Sequence, residues 1–156
     1  MRLHEKTIPQ RGITRLTNVD RREQTVVRRF AAAYNRHDVV EVLDSIDPRC
    51  SFPVLTKFGI EPTFENYRKF TASFLAALPD LHHTIEGMVA EDEKVWVNYT
   101  IRGTHEGLFR NVPATHKHIS WSLIAMYRVV NGRIVEADFQ SDDLSLLRQL
   151  GALPAS

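Results

Sequence analysis

Ile119-Ser120-Trp121-Ser122-Leu123-Ile124-Ala125-Met126-Tyr127-Arg128-Val129-Val130-Asn131-Gly132-Arg133-Ile134-Val135-Glu136-Ala137-Asp138-Phe139 reads as two strands joined by a tight turn. Ile119, Trp121, Leu123, Ala125 and Tyr127 alternate with smaller or more exposed partners, the period of two that a half-buried strand requires. Asn131-Gly132 is the dipeptide that best tolerates the positive φ angles of a two-residue hairpin.

Working upstream, Val95, Val97, Tyr99 and Ile101 repeat the alternation, and so do His83, Ile85, Gly87 and Val89, with Glu91-Asp92-Glu93 as the turn between them. Before these strands the period lengthens to that of helices. Val26, Val27, Phe30, Ala31 and Tyr34 form one stripe. Asp38 with Glu41 has capping-box spacing ahead of Val39, Val42, Leu43 and Ile46, a short helix stopped before Pro48. Cys50 to Val54 is a short strand. Thr63 caps a third helix with Tyr67, Phe70, Thr71, Phe74 and Leu78 on one face, ended by Pro79-Asp80. Downstream of Phe139, Leu144, Leu146, Leu147 and Leu150 make a closing helix, with Gly151 as its stop. Helices followed by a strand meander spell α+β, with helices on one face of the sheet. Residues 20–152 are expected to be one domain, 1–19 an arm and 153–156 a tail.

Composition narrows the function classes. Twenty Lys and Arg face nineteen Asp and Glu, so no net field draws nucleic acid or an anionic membrane. Arg21, Arg22, Arg28 and Arg29, interleaved with Glu23, read as a solvated helix face. The single cysteine, Cys50, forbids an intramolecular disulfide and reads as a small buried residue. No apolar run reaches the ~20 residues of a membrane span, and no secretory signal pattern opens the chain, so a cytoplasmic location is expected. Nucleophile motifs, phosphate loops and dinucleotide fingerprints are missing, and no cofactor is expected. His105, His116 and His118 lie close in sequence, yet their spacing fixes no two on one side of a helix. No metal is expected there.

Three segments together resemble the SnoaL-like polyketide cyclase family, within the nuclear-transport-factor-2-like superfamily. They are Leu78-Pro79-Asp80-Leu81; Gly103-Thr104-His105-Glu106-Gly107 with Pro113 after it; and Arg128 to Glu136, ending in Leu147-Arg148-Gln149-Leu150-Gly151. The resemblance implies a cone, a curved antiparallel sheet wrapped around the N-terminal helices and enclosing a pocket. It also implies cyclases that close a ring by an intramolecular aldol reaction, beside isomerases, hydrolases and non-catalytic binders.

An aldol cyclase must take a carbon-bound proton and return one to the new alkoxide. The family's Asp for this task, counted from Glu136, falls on Phe139 here. Its His helper falls near Ala125 and its Asn near Phe52. Asp138 is one residue early, which on a strand is the opposite face. Tyr34, Phe52, Trp121, Ala125, Tyr127 and Phe139 are therefore expected to line an apolar pocket, with Val135 and Ala137 on the same side. The remaining acid–base candidates are His83, which shares parity with Ile85 and Val89, and Asp142, at the pocket mouth or capping the last helix. These residues suit a cofactor-independent cyclase or isomerase of a hydrophobic polyketide, terpenoid or steroid-like metabolite. A ligand-binding protein without chemistry and a dimeric interaction module are the competing readings. Ile124, Met126, Trp96, Met88 and Ile134 fall on the outer face by the same alternation, where they would pair two copies of the chain.

Overall fold

A computed structural model describes residues 18–154. Most of the expected arm, residues 1–17, and Ala155 and Ser156 lie outside them. Asn18 and Val19 belong to the first helix.

α1 (Asn18–Asn35) buries Val27, Phe30, Ala31, Ala33 and Tyr34, the stripe its helical spacing dictates. α2 (Val39–Asp44) begins at Asp38, whose carboxylate accepts the Glu41 N–H. The Glu41 side chain does not complete the capping box; it turns to Arg29 on α1 and to Arg36 in the turn after it. Ile46 does not extend α2. It opens β1 (Ile46–Ser51), four residues ahead of the expected strand, because pairing with Ile134 buries both side chains completely. Each such burial is worth about 1.5–3 kcal/mol, more than another turn of a six-residue helix returns. Pro48 is tolerated because β1 is an edge strand. Pro53, expected inside a strand, instead starts α3 (Pro53–Thr56) at the position where its missing N–H costs nothing.

α4 (Phe64–Ala77) is capped by Thr63, whose hydroxyl accepts the Asn66 N–H. The meander follows as β2 (His82–Glu91), β3 (Lys94–Thr104), β4 (His118–Val130) and β5 (Arg133–Ser141), and α5 (Asp143–Gln149) closes the chain. The sheet order is β1-β5-β4-β3-β2, antiparallel except for the parallel pair β1–β5. Asp92-Glu93 and Asn131-Gly132 turn with positive φ at both residues, the geometry of two-residue hairpins. Gly151, at φ +75°, ends α5.

Two bulges correct the expected alternation. Between Ile85 and Gly87 the β2–β3 register shifts, leaving Glu86 without an opposite residue. Beyond it the phase inverts: Met88 packs on the core and Val89 is 64% exposed, the reverse of the reading from parity. A second shift leaves Val135 unopposed and turns Ile134 into the core against Val129. The outer face thus loses Met88 and Ile134 and gains Val89, which sits in register beside Trp96 and, across β4, Met126.

The sheet's inner face, α1 and α4 enclose a cavity. α1 packs across β2, β3 and β4, and α4 lies beside β1. Asn35, at the end of α1, holds the edge of β2 as a neighbouring strand would. Its amide nitrogen donates to His83 O at 3.0 Å, and its oxygen accepts the His83 N–H at 2.7 Å.

Candidate functional site

Two segments that carried the family resemblance meet at the end of α4. Asp80 accepts hydrogen bonds from the Thr104 N–H and, at 2.6 Å, from the Thr104 hydroxyl. Side chains at Gly103 and Gly107 would press on Leu78 at 3.3 Å and on the Ala77 backbone at 3.0 Å, so glycine lets the segments close without a shift of these neighbours. Glu106 N–H donates to Ala77 O, and His105 exchanges backbone hydrogen bonds with Lys117 and His116. The clamp fixes the loop that follows. There Phe109 and Val112 bond to each other across a two-residue turn with Arg110 and Asn111 at φ 52° and 60°. Phe109 and Arg110 thereby reach the cavity mouth.

Inside, the walls are aromatic. Tyr34, Trp121, Tyr127 and Phe139 line the cavity, as do His83 and Tyr99. Phe52 and Ala125 are buried but do not reach it; Phe52 stacks on Tyr67 at 4.2 Å between ring centres, one layer behind. Space open to water-sized spheres amounts to about 70 Å³. Beyond the mouth, a groove of about 560 Å³ runs between residues 57–60 after α3, α4, the 108–111 turn and α5, and it shares Phe70, Phe74, Phe109 and Arg110 with the cavity. An engineered cavity of about 150 Å³ receives a benzene ring, so the inner chamber has room only for a slender group, and the groove is the wider space.

Most polar groups inside are satisfied. Tyr34 Oη lies 2.9 Å from Tyr67 Oη and 3.0 Å from Thr71 Oγ1. Burial raises the Tyr34 phenol, partly offset by those bonds, and pushes Tyr67 and Tyr127 well above the usual range and Tyr99 to about 12. Every phenol in the cavity is therefore protonated at neutral pH.

His83 differs. Its ring sits 5.1 Å from Tyr34 and 5.5 Å from Tyr99, and Nδ1 is fully buried with no hydrogen-bond partner. The surface it retains belongs to a residue lining the cavity and packed about by protein. Burial, with a smaller contribution from His82, pulls its pKa down to about 3. The imidazole is neutral and unengaged.

Asp142 occupies another place. Its carboxylate accepts the Ser145 N–H at 3.1 Å and caps α5, and on that strand the cavity lining ends at Ser141. His105 Nδ1 accepts the Thr115 N–H, His116 faces Glu106, and His118 faces Thr104. Among the described residues no three His, Cys, Asp or Glu side chains converge on one point. Burial pushes the Cys50 thiol to about 12, leaving it protonated.

The profile of SnoaL-like polyketide cyclases matches residues 24–150. The chain belongs to the SnoaL-like polyketide cyclase family. Among solved structures, AclR from Streptomyces galilaeus, a proposed hydroxylase, is 28% identical with a TM-score of 0.77, covering 85% of this chain and 97% of its own. TsrD from Streptomyces laurentii is 27% identical with a TM-score of 0.77, over 88% and 99% of the two chains. IdmH from Streptomyces antibioticus, a proposed polyketide cyclase, is 26% identical with a TM-score of 0.73, over 83% and 98%. No curated protein matches.

In this SnoaL-like protein the strand position where the resemblance expects the catalytic Asp holds Phe139, which lines the cavity. Asp138 pairs with Met126 in the β4–β5 register, and its carboxylate lies 3.8 Å from Lys57 Nζ. Arg110 escaped the sequence reading altogether. Nothing in Phe109-Arg110-Asn111 signals that a turn of the 105–117 loop will be carried to the cavity mouth.

Proposed function

We propose that this family member is a cofactor-independent cyclase or isomerase of a hydrophobic, polyketide-like metabolite, with His83 as its proton-exchanging group. The observation that carries this reading is the neutral imidazole of His83 in the cavity wall, whose Nδ1 has no hydrogen-bond partner among the described residues; the Tyr99 and Ser141 hydroxyls beside the same cavity are likewise unpartnered. Similarity to a proposed polyketide cyclase supports the substrate class.

The chemistry begins with a carbonyl compound seated beside His83. An imidazole nitrogen takes the proton from the carbon next to the carbonyl, and the bonding pair moves onto oxygen to give an enolate. A phenol such as Tyr99, whose hydroxyl is buried without a partner, stabilises that oxygen. In a cyclisation the enolate carbon attacks a second carbonyl, and His83 returns its proton to the new alkoxide. In an isomerisation the proton returns to a different carbon. A pKa near 3 belongs to the empty cavity. An enolate about 4 Å away, at an effective dielectric of about 20, favours the imidazolium by about 4 kcal/mol, or roughly three pK units. The base then works near neutrality.

A simple ketone tests this without the natural substrate. Incubated with the slender ketone 2-butanone in D₂O, the wild type should accelerate deuterium uptake beside the carbonyl, followed by NMR. His83→Phe should lower that rate about a hundredfold. Binding of 2-butanone with exchange at the solvent rate would favour a binding protein, the reading that Phe139 in place of a carboxylate supports.

Assembly follows from the other side of the sheet. We propose a homodimer through the outer face, where Val89, Trp96 and Ile124 are each at least half exposed although large and apolar.

A further inference from the structure

We infer that the groove and cavity take an anionic ligand, an aromatic or polycyclic carboxylic acid, and that Arg110 receives its carboxylate. This rests on the cavity being the ligand site and adds the charge of the ligand to that reading.

Arg110 brings the one permanent charge to the cavity lining, and its side chain is only 20% exposed. A guanidinium has five N–H donors in a planar fork. Here one nitrogen donates to Asp143 Oδ1 at 2.7 Å, and among the described residues the group makes no other hydrogen bond. Its carbon lies 4.3 Å from the centre of the Phe58 ring and 5.7 Å from that of Phe109, so aromatic faces hold the fork in place. A desolvated cation with donors to spare, at the junction of an apolar chamber and a wide groove, fits a second carboxylate in bidentate geometry.

The backbone adds an independent observation. Arg110 stands at φ 52° in a two-residue turn, where Asn, Asp or Gly is the easy choice. An arginine there is held against local preference, and its side chain is what the turn delivers to the mouth. Asp143 is its competitor: half exposed at the start of α5, it neutralises the guanidinium while the groove is empty. A ligand carboxylate arriving from the groove takes the unused donors and shares the guanidinium with Asp143, while the ligand's rings replace water against Phe70, Phe74 and Phe109. Lys57, on the same groove, is already engaged by Phe139 O and Asp138, which leaves Arg110 to recognise the anion.

The test compares 2-naphthoate with the neutral isostere 2-naphthamide by isothermal titration against wild type, Arg110→Gln and Asp143→Asn. Wild type should bind the acid at least about tenfold tighter than the amide. Arg110→Gln should lose about tenfold for the acid and leave the amide unchanged, and Asp143→Asn should tighten the acid several-fold by removing its competitor. The Asp143 variant guards against an Arg110 variant that merely loosens the turn, because it moves affinity the other way. Equal affinity of wild type for acid and amide would overturn the anion assignment and leave the cavity reading standing. Weakening of both probes alike by Arg110→Gln, or of the acid by Asp143→Asn, would reduce the ion pair to a structural latch and overturn it too. Failure of both probes to bind at about 1 mM would sink both readings.

Discussion

His83 should make this protein lose stability on mild acidification, and His83→Phe should remove that loss. The group's folded pKa, about 3, lies below its ordinary value of 6.5 because burial penalises the imidazolium. The unfolded chain therefore binds a proton at His83 between those values while the folded chain does not, and the native state loses ground as pH falls through that window. Between about pH 7.5 and pH 5 the unfolded His83 gains nearly its full proton, which costs the native state about 2 kcal/mol at 1.36 kcal/mol per pH unit. The figure barely depends on the folded pKa provided it stays below about 4.5. Glu23, whose carboxyl is raised by burial, contributes with the opposite sign and is common to both proteins. The assay is urea unfolding of wild type and His83→Phe at the two pH values. The wild type should lose about 2 kcal/mol more than the variant on acidification, enough to move its midpoint by about 1 M urea. Equal losses would show that His83 is solvated or paired, and would remove the neutral, unengaged imidazole on which the proposed chemistry stands.

Two further outcomes test the surroundings of the site. Trp96→Glu places a charge in the middle of the outer-face row Val89–Trp96–Met126; it should convert a dimer to monomers by sedimentation at about 50 μM, and a wild type already monomeric there would refute the dimer. Asp142→Asn keeps the cap on α5 and should leave melting and ketone exchange unchanged, whereas Asp142→Ala should cost about 1 kcal/mol of stability; loss of exchange in the Asn variant would return Asp142 to the chemistry.

Turns and caps were legible because single residues carry them. Asn131-Gly132 announces its hairpin by tolerating positive φ, and Thr63 announces α4 by offering an oxygen to a free N–H. Strand phase was legible only as far as each strand stayed regular. His83 precedes the bulge in β2, so parity placed it inward; Met88 and Val89 follow it, and parity failed. A bulge inserts one residue without changing composition, so Glu86 and Val135 gave no sign. β1 was misplaced because a buried Ile46–Ile134 pair, remote in sequence, outweighed the local pattern. The same limit hid Arg110 and put Phe52 and Ala125 in the cavity wall instead of one layer behind it. Whether a residue lines a cavity or backs it depends on elements that meet only in the folded chain.

The likeness to the family and the divergence at its acid–base position have one physical origin. Leu78-Pro79-Asp80-Leu81 and Gly103-Thr104-His105-Glu106-Gly107 answer to packing: Asp80 must reach Thr104, and Gly103 and Gly107 must leave room for Leu78 and Ala77. A larger residue in that clamp would press on these neighbours, Gly107 most of all because it faces the Ala77 backbone at 3.0 Å. Phe139 is free of such demands. It faces a cavity, and a side chain facing free space can be exchanged for another of similar size without moving the sheet. Motifs of this fold therefore report the scaffold. The chemistry has to be read from groups such as His83, whose buried nitrogen no neighbour satisfies.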